Sequence, residues 1–220
     1  MQMMSNNAEN LEMEIKLDLV NERNFARLLE YLPEPRIIKH QTNYFFDTDD
    51  WALSRSGWAL RLRTTENTAT VTVKGRAVKD DDQLTVRPEI EISIPLEQAE
   101  EFLKEGLTPG RLPMGIIAPL KSLGPDGRLS MKLQFATDRH VIDFADNDIR
   151  FSIDLDRIMY SDGTADYELE AELDNRAFFD SILADIKGIF ERLNIPVIFQ
   201  KRSKFARALK KIGIDNLLDG

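Results

Sequence analysis

Residues 11–17 alternate without a break: Leu11, Met13, Ile15 and Leu17 are apolar, and Glu12, Glu14 and Lys16 between them are charged. Successive side chains on a strand point to opposite faces, so a period of two gives one segment a greasy face and a charged face. The same alternation recurs at residues 41–48, 57–65, 69–76, 85–94, 131–144, 149–160 and 166–173, which predicts eight strands in all. Short polar links at 66–68 and 161–165 join neighbours as hairpins and imply a mostly antiparallel sheet. Pro88 falls inside one of these runs; having no N–H, it must sit at an edge or a bulge.

Helical spacing marks the remaining elements. Phe25, Leu28, Leu29 and Leu32 predict a helix over residues 21–31 with Asn21 as its cap, and Ala99, Phe102 and Leu103 a short one over 97–105. Residues 79–83 read as a solvated loop and 106–128 as an irregular Gly- and Pro-bearing connection. Phe178, Phe179, Ile182, Leu183, Ile186, Ile189, Phe190 and Leu193 predict a long amphipathic helix that stops before Pro196. A last helix follows Ser203 and ends near Gly213.

Sorting each strand by face collects the charges on one side: Glu12, Glu14 and Lys16; Asn43, Phe45 and Asp47; Arg61 and Arg63; Thr70, Thr72 and Lys74; Arg87, Glu89 and Glu91; Arg139, if the face shifts at a bulge near Ala136; Arg150, Ser152, Asp154 and Asp156; Glu168, Glu170 and Glu172. An open sheet with one solvated face is the simpler arrangement. Two features oppose it. Glu168, Glu170 and Glu172 stack like charges that repel unless cations lie between them, and about eight strands suffice to close a barrel. The expected fold is α+β: an eight-stranded antiparallel β-barrel, a tunnel with a charged lumen and helices packed on the outside.

Two carboxylates about 4 Å apart repel by roughly 4 kcal/mol at an effective dielectric near 20, a penalty that a divalent cation removes. The facing Arg and Lys residues then call for an anion. Carboxylates and guanidinium groups around one cavity point to a metal–polyphosphate site. With two histidines and no cysteine, a metal here would sit on oxygens, which suits Mg²⁺, Mn²⁺ or Ca²⁺.

A net charge of −9 disfavours nucleic acid as a partner. No apolar run is long enough for a membrane span, and residues 1–10 carry no signal pattern; with no cysteine, the cytoplasm is the expected compartment. The expected organisation is a disordered lead over residues 1–10, one domain over 11–213 and a tail over 214–220. A homodimer is compatible with the exposed helix faces.

In sequence order, Glu12-Met-Glu-Ile-Lys16, Asn43-Tyr-Phe-Phe-Asp-Thr48, Ala59-Leu-Arg-Leu-Arg63, Thr70-Val-Thr-Val-Lys74, Arg87-Pro-Glu-Ile-Glu91, Arg139, Glu168-Leu-Glu-Ala-Glu-Leu173 and Lys201-Arg-Ser-Lys-Phe-Ala-Arg-Ala-Leu209 resemble the CYTH superfamily, the triphosphate tunnel metalloenzymes. Glu12, Glu14 and Lys16 match its ExExK signature; Phe46 departs, since many relatives pass straight from Tyr-Phe to Asp. The resemblance spans about residues 11 to 210 and is nearest to the inorganic triphosphatases; the CHAD domain that often follows in such relatives is not expected in this chain.

The resemblance implies an Mg²⁺- or Mn²⁺-dependent triphosphatase, most simply one that splits tripolyphosphate into pyrophosphate and phosphate. Glu12, Glu14, Lys16 and Glu170 are the expected catalytic residues. Glu12, Glu14, Glu168, Glu170 and Asp154 are the expected metal ligands, Asp154 serving a second ion. Arg61, Arg63, Lys74, Arg87 and Arg139 are expected to grip phosphate, and Lys201 and Lys204 to close one mouth. A thiamine triphosphatase or class IV adenylyl cyclase would use the same tunnel with a pocket for an organic group, which the patterning does not expose. A non-enzymatic polyphosphate- or nucleotide-binding module is the third reading.

Overall fold

The computed structural model describes residues 10–80, 83–113, 116, 120, 127–146 and 149–214. The expected disordered lead lies outside the described residues except for Asn10, and the expected tail except for Ile214. In chain order the elements are β1 (Asn10–Asp18), α1 (Glu22–Tyr31), β2 (Ile37–Asp47), α2 (Ala52–Arg55), β3 (Ala59–Thr64), β4 (Ala69–Lys74), β5 (Val78–Asp80), β6 (Leu84–Ile94), α3 (Leu96–Glu105), β7 (Ser130–Asp146), β8 (Ile149–Tyr160), β9 (Ala165–Glu172), α4 (Phe179–Arg192) and α5 (Lys204–Lys211). The order of strands is β1-β9-β8-β7-β2-β3-β4-β6, and β6 pairs back onto β1, so eight antiparallel strands close a barrel.

The ninth strand, β5, falls in the stretch read from sequence as a loop. It pairs Val78–Asp80 with β6 and continues the line of β4 after a break at residues 75–77. Pro88 lies opposite that break, where a missing N–H interrupts no regular ladder. Gly75 donates its N–H to the Pro88 carbonyl, and a Cβ at position 75 would stand 2.5 Å from the proline ring.

Two apolar cores lie outside the barrel wall. One packs α1 and α4 on β1, β8 and β9 around Ile15, Leu17, Leu155 and Leu169. The other packs α2, α3 and Leu107, Leu112, Ile116, Leu120 and Leu129 on β2, β3, β4 and β6 around Leu60, Leu62, Val71 and Val73. Helix α4 buries Phe179, Ile182, Leu183, Ile186, Ile189 and Phe190 along one stripe. At roughly 1.5–3 kcal/mol per buried side chain, that stripe outweighs the ~1 kcal/mol that Gly188 costs the helix. The caps are as the sequence predicts: Asn21 accepts from the Asn24 N–H, and Ser203 from the Ala206 N–H.

Helix α5 covers one end of the barrel. Phe205 stacks on Phe45, ring centroids 4.6 Å apart, and Phe45 stacks on Phe135; Leu133, Tyr160, Ala208 and Leu209 complete this plug. The lumen is therefore charged along most of its length and apolar at one end. The face shift expected in β7 does occur, but at Lys132: Phe45 pairs with Leu133 and Phe46 with Met131, leaving Lys132 as the extra residue. Beyond the bulge, Arg139 takes the lumen side.

Candidate active site

A cavity of about 800 Å³ fills the barrel, lined by Glu12, Glu14, Lys16, Arg61, Arg63, Lys74, Arg87, Arg139 and Glu170, with Phe45, Trp58, Phe205, Leu209 and Ile214 at its apolar end. Antiparallel register sets its two charged walls. On the first, β8 and β9 pair Asp156 with Glu168 and Asp154 with Glu170, and β1 pairs Lys16 with Glu170. Asp156, Glu168 and Glu170 are 0, 1 and 8% exposed. One oxygen from each lies within 4.8 Å of the others, an all-oxygen set that suits a hard divalent cation.

Cations surround this triad. Arg139 donates to Asp156 at 2.6 and 2.8 Å and to Glu170 at 2.5 Å, and also pairs with Asp154 at 2.5 Å. Lys204, reaching in from α5, lies 2.8 Å from Asp156 and 2.8 Å from Glu170 and against Glu168. Arg207, one helical turn on, donates to Glu168 at 2.6 Å and to Asp166 at 2.8 Å. Lys16 bridges Glu14 at 2.9 Å and Glu170 at 3.0 Å. Burial opposes charge on Glu170, Asp156, Lys16, Arg139, Lys204 and Arg207. The pairing wins: Glu170 and Asp156 are held below the usual carboxylate range, and Lys16, Arg139, Lys204 and Arg207 are raised. Asp154 is the exception, pushed up by burial and by its neighbours Asp156 and Glu170 despite Arg139.

The second wall, β3, β4 and β6, carries cations in closer company. Arg61 donates to Glu91 at 3.2 Å and to Thr72 at 3.1 Å. Lys74 reaches Glu12 at 2.9 Å and Glu89 at 2.5 Å, and Arg87 reaches Glu12 at 2.6 Å and Glu14 at 3.0 Å. Arg63 donates to the Asn43 amide oxygen at 2.9 Å and makes no ion pair among the described residues. Burial, with Arg87 and Arg61 close by, pushes Lys74 down to about 8. Burial, with Arg61 and Arg139 close by, pushes Arg63 down to about 9. Glu12 is held well below the usual range because Lys74 and Arg87 outweigh its burial. Arg87 differs, since Glu14 and Glu12 outweigh its burial and raise it. Arg63 is thus the buried cation on this wall without a carboxylate partner among the described residues, and it lines the cavity.

Residues 10–203 match the model of the CYTH domain family. The chain belongs to the CYTH family. Solved structures share its fold. A proposed adenylyl cyclase from Hippeastrum, described as having a dominant triphosphatase activity, superposes with a TM-score of 0.78 at 22% identity, covering 91% of this chain and 96% of that one. A proposed adenylate cyclase from Bacillus halodurans gives 0.66 at 25% identity, covering 90% and 97%. A Pyrococcus horikoshii protein gives 0.59 at 18%, covering 90% and 99%. No curated protein matches the chain in sequence.

The CYTH barrel brings the sequence-predicted residues to one lumen, in different company from that expected. Glu168 and Glu170 meet as foreseen, with Asp156 as their third partner. Alternation places Asp156 on the charged face, and its pairing with Glu168 brings it into the triad. Glu12 and Glu14 lie beside this triad in ion pairs with Lys74, Arg87 and Lys16, and Asp154 pairs with Arg139. Lys201 is exposed at the cavity rim, while Lys204 is drawn inside. Arg207 and Asn43 carry contacts that sequence reasoning left unassigned. The signal for Arg207 was available: it stands three residues after Lys204, on the same helical face. No helix is long and apolar enough to cross a membrane, among the described residues.

Proposed function

We propose that this CYTH protein is a divalent-metal-dependent triphosphatase whose simplest substrate is inorganic tripolyphosphate. The observation that carries the reading is the pairing of walls: a buried carboxylate triad shares one cavity with Arg61, Arg63, Lys74 and Arg87, and Arg63 has no carboxylate partner among the described residues. Arg61, Arg63, Lys74 and Arg87 bind the phosphate oxygens, and Arg139 and Lys16 orient the carboxylates beside them. Asp156, Glu168 and Glu170 would hold Mg²⁺ or Mn²⁺, with Glu14 and Glu12 on the adjoining strand and Asp154 beside a second ion. A cation bound there supplies Lewis-acid neutralisation of phosphate charge. Water attacks the terminal phosphorus in line with the bridging oxygen. A lumen carboxylate takes its proton, and pyrophosphate leaves as the P–O bond breaks. The proposed setting is a single domain over residues 11–213, cytoplasmic and without nucleic acid; it acts as a monomer or homodimer.

The apolar end of the cavity favours a second reading, a triphosphate carrying an organic group that rests against Phe45, Trp58 and Phe205. One panel separates the readings: tripolyphosphate, thiamine triphosphate and ATP, each with Mg²⁺ and with Mn²⁺, scored for phosphate and for cyclic AMP. Tripolyphosphate is expected to be hydrolysed fastest. Faster release from thiamine triphosphate or ATP transfers the reading to the organic substrate. Tight binding of all three with no product identifies a binding module and overturns the enzyme.

A further inference from the structure

Lys204 occupies the position that a metal ion would take. Its Nζ meets Asp156 Oδ2, Glu170 Oε1 and Glu168 Oε1, while the guanidinium groups hold the outer oxygens, Glu170 Oε2 and Glu168 Oε2, together with both oxygens of Asp156. The oxygens turned toward the middle of the triad thus all meet one ammonium, that of Lys204, and Glu170 Oε1 is also reached by Lys16 from β1 at 3.0 Å. Glu168 Oε1 is fully buried, and Lys204 is its one charged partner among the described residues. A divalent cation binds carboxylate oxygens at about 2.0–2.6 Å. An ammonium on the same oxygens would then stand only about 3–4 Å from it, with no screening water between two positive centres.

We infer that the Lys204 ammonium is a tethered stand-in for the divalent cation: it neutralises the triad when no metal is bound, leaves when metal enters, and is delivered to the phosphate in the cavity. The inference rests on reading the triad as a metal centre. The helix need not move for the exchange. Arg207 ties α5 to Asp166 and Glu168, and Phe205 seats it on Phe45. Lys204 is the first residue of α5 after the Ser203 cap and lines the cavity, so its flexible stem can swing from the triad into the open volume. Without phosphate the displaced ammonium has no partner, and metal alone binds weakly. With phosphate present it gains one, so metal and substrate reinforce each other.

Calorimetric titration of Mn²⁺ alone into the wild type and Lys204→Met tests this. The variant is expected to bind Mn²⁺ about tenfold tighter, and a non-hydrolysable tripolyphosphate analogue should enhance its Mn²⁺ affinity less than it does in the wild type. A second measurement uses the wild type only. Amine labelling read by peptide mass spectrometry should find Lys204 protected in the apoprotein, reactive at saturating Mn²⁺, and protected again once the analogue is added. Equal or weaker Mn²⁺ binding by Lys204→Met, or Lys204 reactivity that does not respond to bound Mn²⁺, overturns the exchange, as does failure of both proteins to bind Mn²⁺. None of these readouts involves turnover, so a protein that binds Mn²⁺ and fails the substrate panel loses the triphosphatase reading while the exchange still stands or falls on the titration.

Discussion

The two walls of the lumen use the same residue types for opposite ends. On the β8–β9 wall, Asp156, Glu168 and Glu170 are matched by Lys16, Arg139, Lys204 and Arg207, and pairing raises every one of those cations. Across the cavity, burial, with other cations close by, lowers Arg63 and Lys74, while Glu14 and Glu12 raise Arg87. The first wall is neutralised from within the chain. The second is left partly uncompensated, which costs folding free energy and prepares a place for an anion. What separates them is pairing, since both walls are largely buried: every named cation of the first wall meets a carboxylate, and Arg63 on the second meets only an amide among the described residues.

The largest expected effect comes from unmaking the acidic wall's chemistry. Chelation with EDTA, or Glu14→Gln or Glu170→Gln, should take tripolyphosphate hydrolysis to background with the far-ultraviolet circular dichroism unchanged; a retained full rate removes the metal assignment. Next, stability should divide the walls. Arg139→Met strands Asp154, Asp156 and Glu170 and should cost about 3–5 kcal/mol in urea unfolding, whereas Arg63→Met relieves repulsion and should leave stability unchanged or slightly higher. Equal losses from both would erase the distinction.

A smaller effect belongs to binding. Arg63→Ala should raise KM for tripolyphosphate by about 10- to 100-fold with little change in kcat, the range expected for a charged hydrogen bond of about 1.5–3 kcal/mol. An unchanged KM would mean that Arg63 does not meet substrate. The smallest effect is on pH. Lys74 is cationic below about 8 and neutral above it, and only the cation attracts phosphate. kcat/KM should therefore fall several-fold between pH 8 and 9, because it reports the free enzyme, and Lys74→Arg should move the fall to higher pH. A flat profile to pH 9.5 in the wild type would place Lys74 outside the binding wall.

Much of this was legible in the chain. A period of two is a local property, so the runs around Ile15, Leu62, Val73 and Leu169 marked the greasy outside of the barrel and their neighbours its lumen. Asn21 and Ser203 announced their helices because a cap needs only its own next three residues. Asp154 and Asp156 were not separable in the same way: they share a face, and only the pairing of Asp156 with Glu168, together with Lys204 arriving from a helix about fifty residues on, makes Asp156 the third member of the triad. Strand β5 was hidden in a charged stretch whose partner, β6, is what orders it. The apolar plug was hidden because Phe45 falls on the charged face by parity, and only the tertiary structure sets it between Phe135 and Phe205.

The sequence by itself determined which side chains share a face and that like charges would have to be answered by opposite ones, since alternation and charge are carried residue by residue. Tertiary structure alone decided which carboxylate meets which cation, because that depends on the register of eight strands around a closed ring and on one helix crossing its mouth. A shift of a single residue in any strand would have exchanged the lumen for the core.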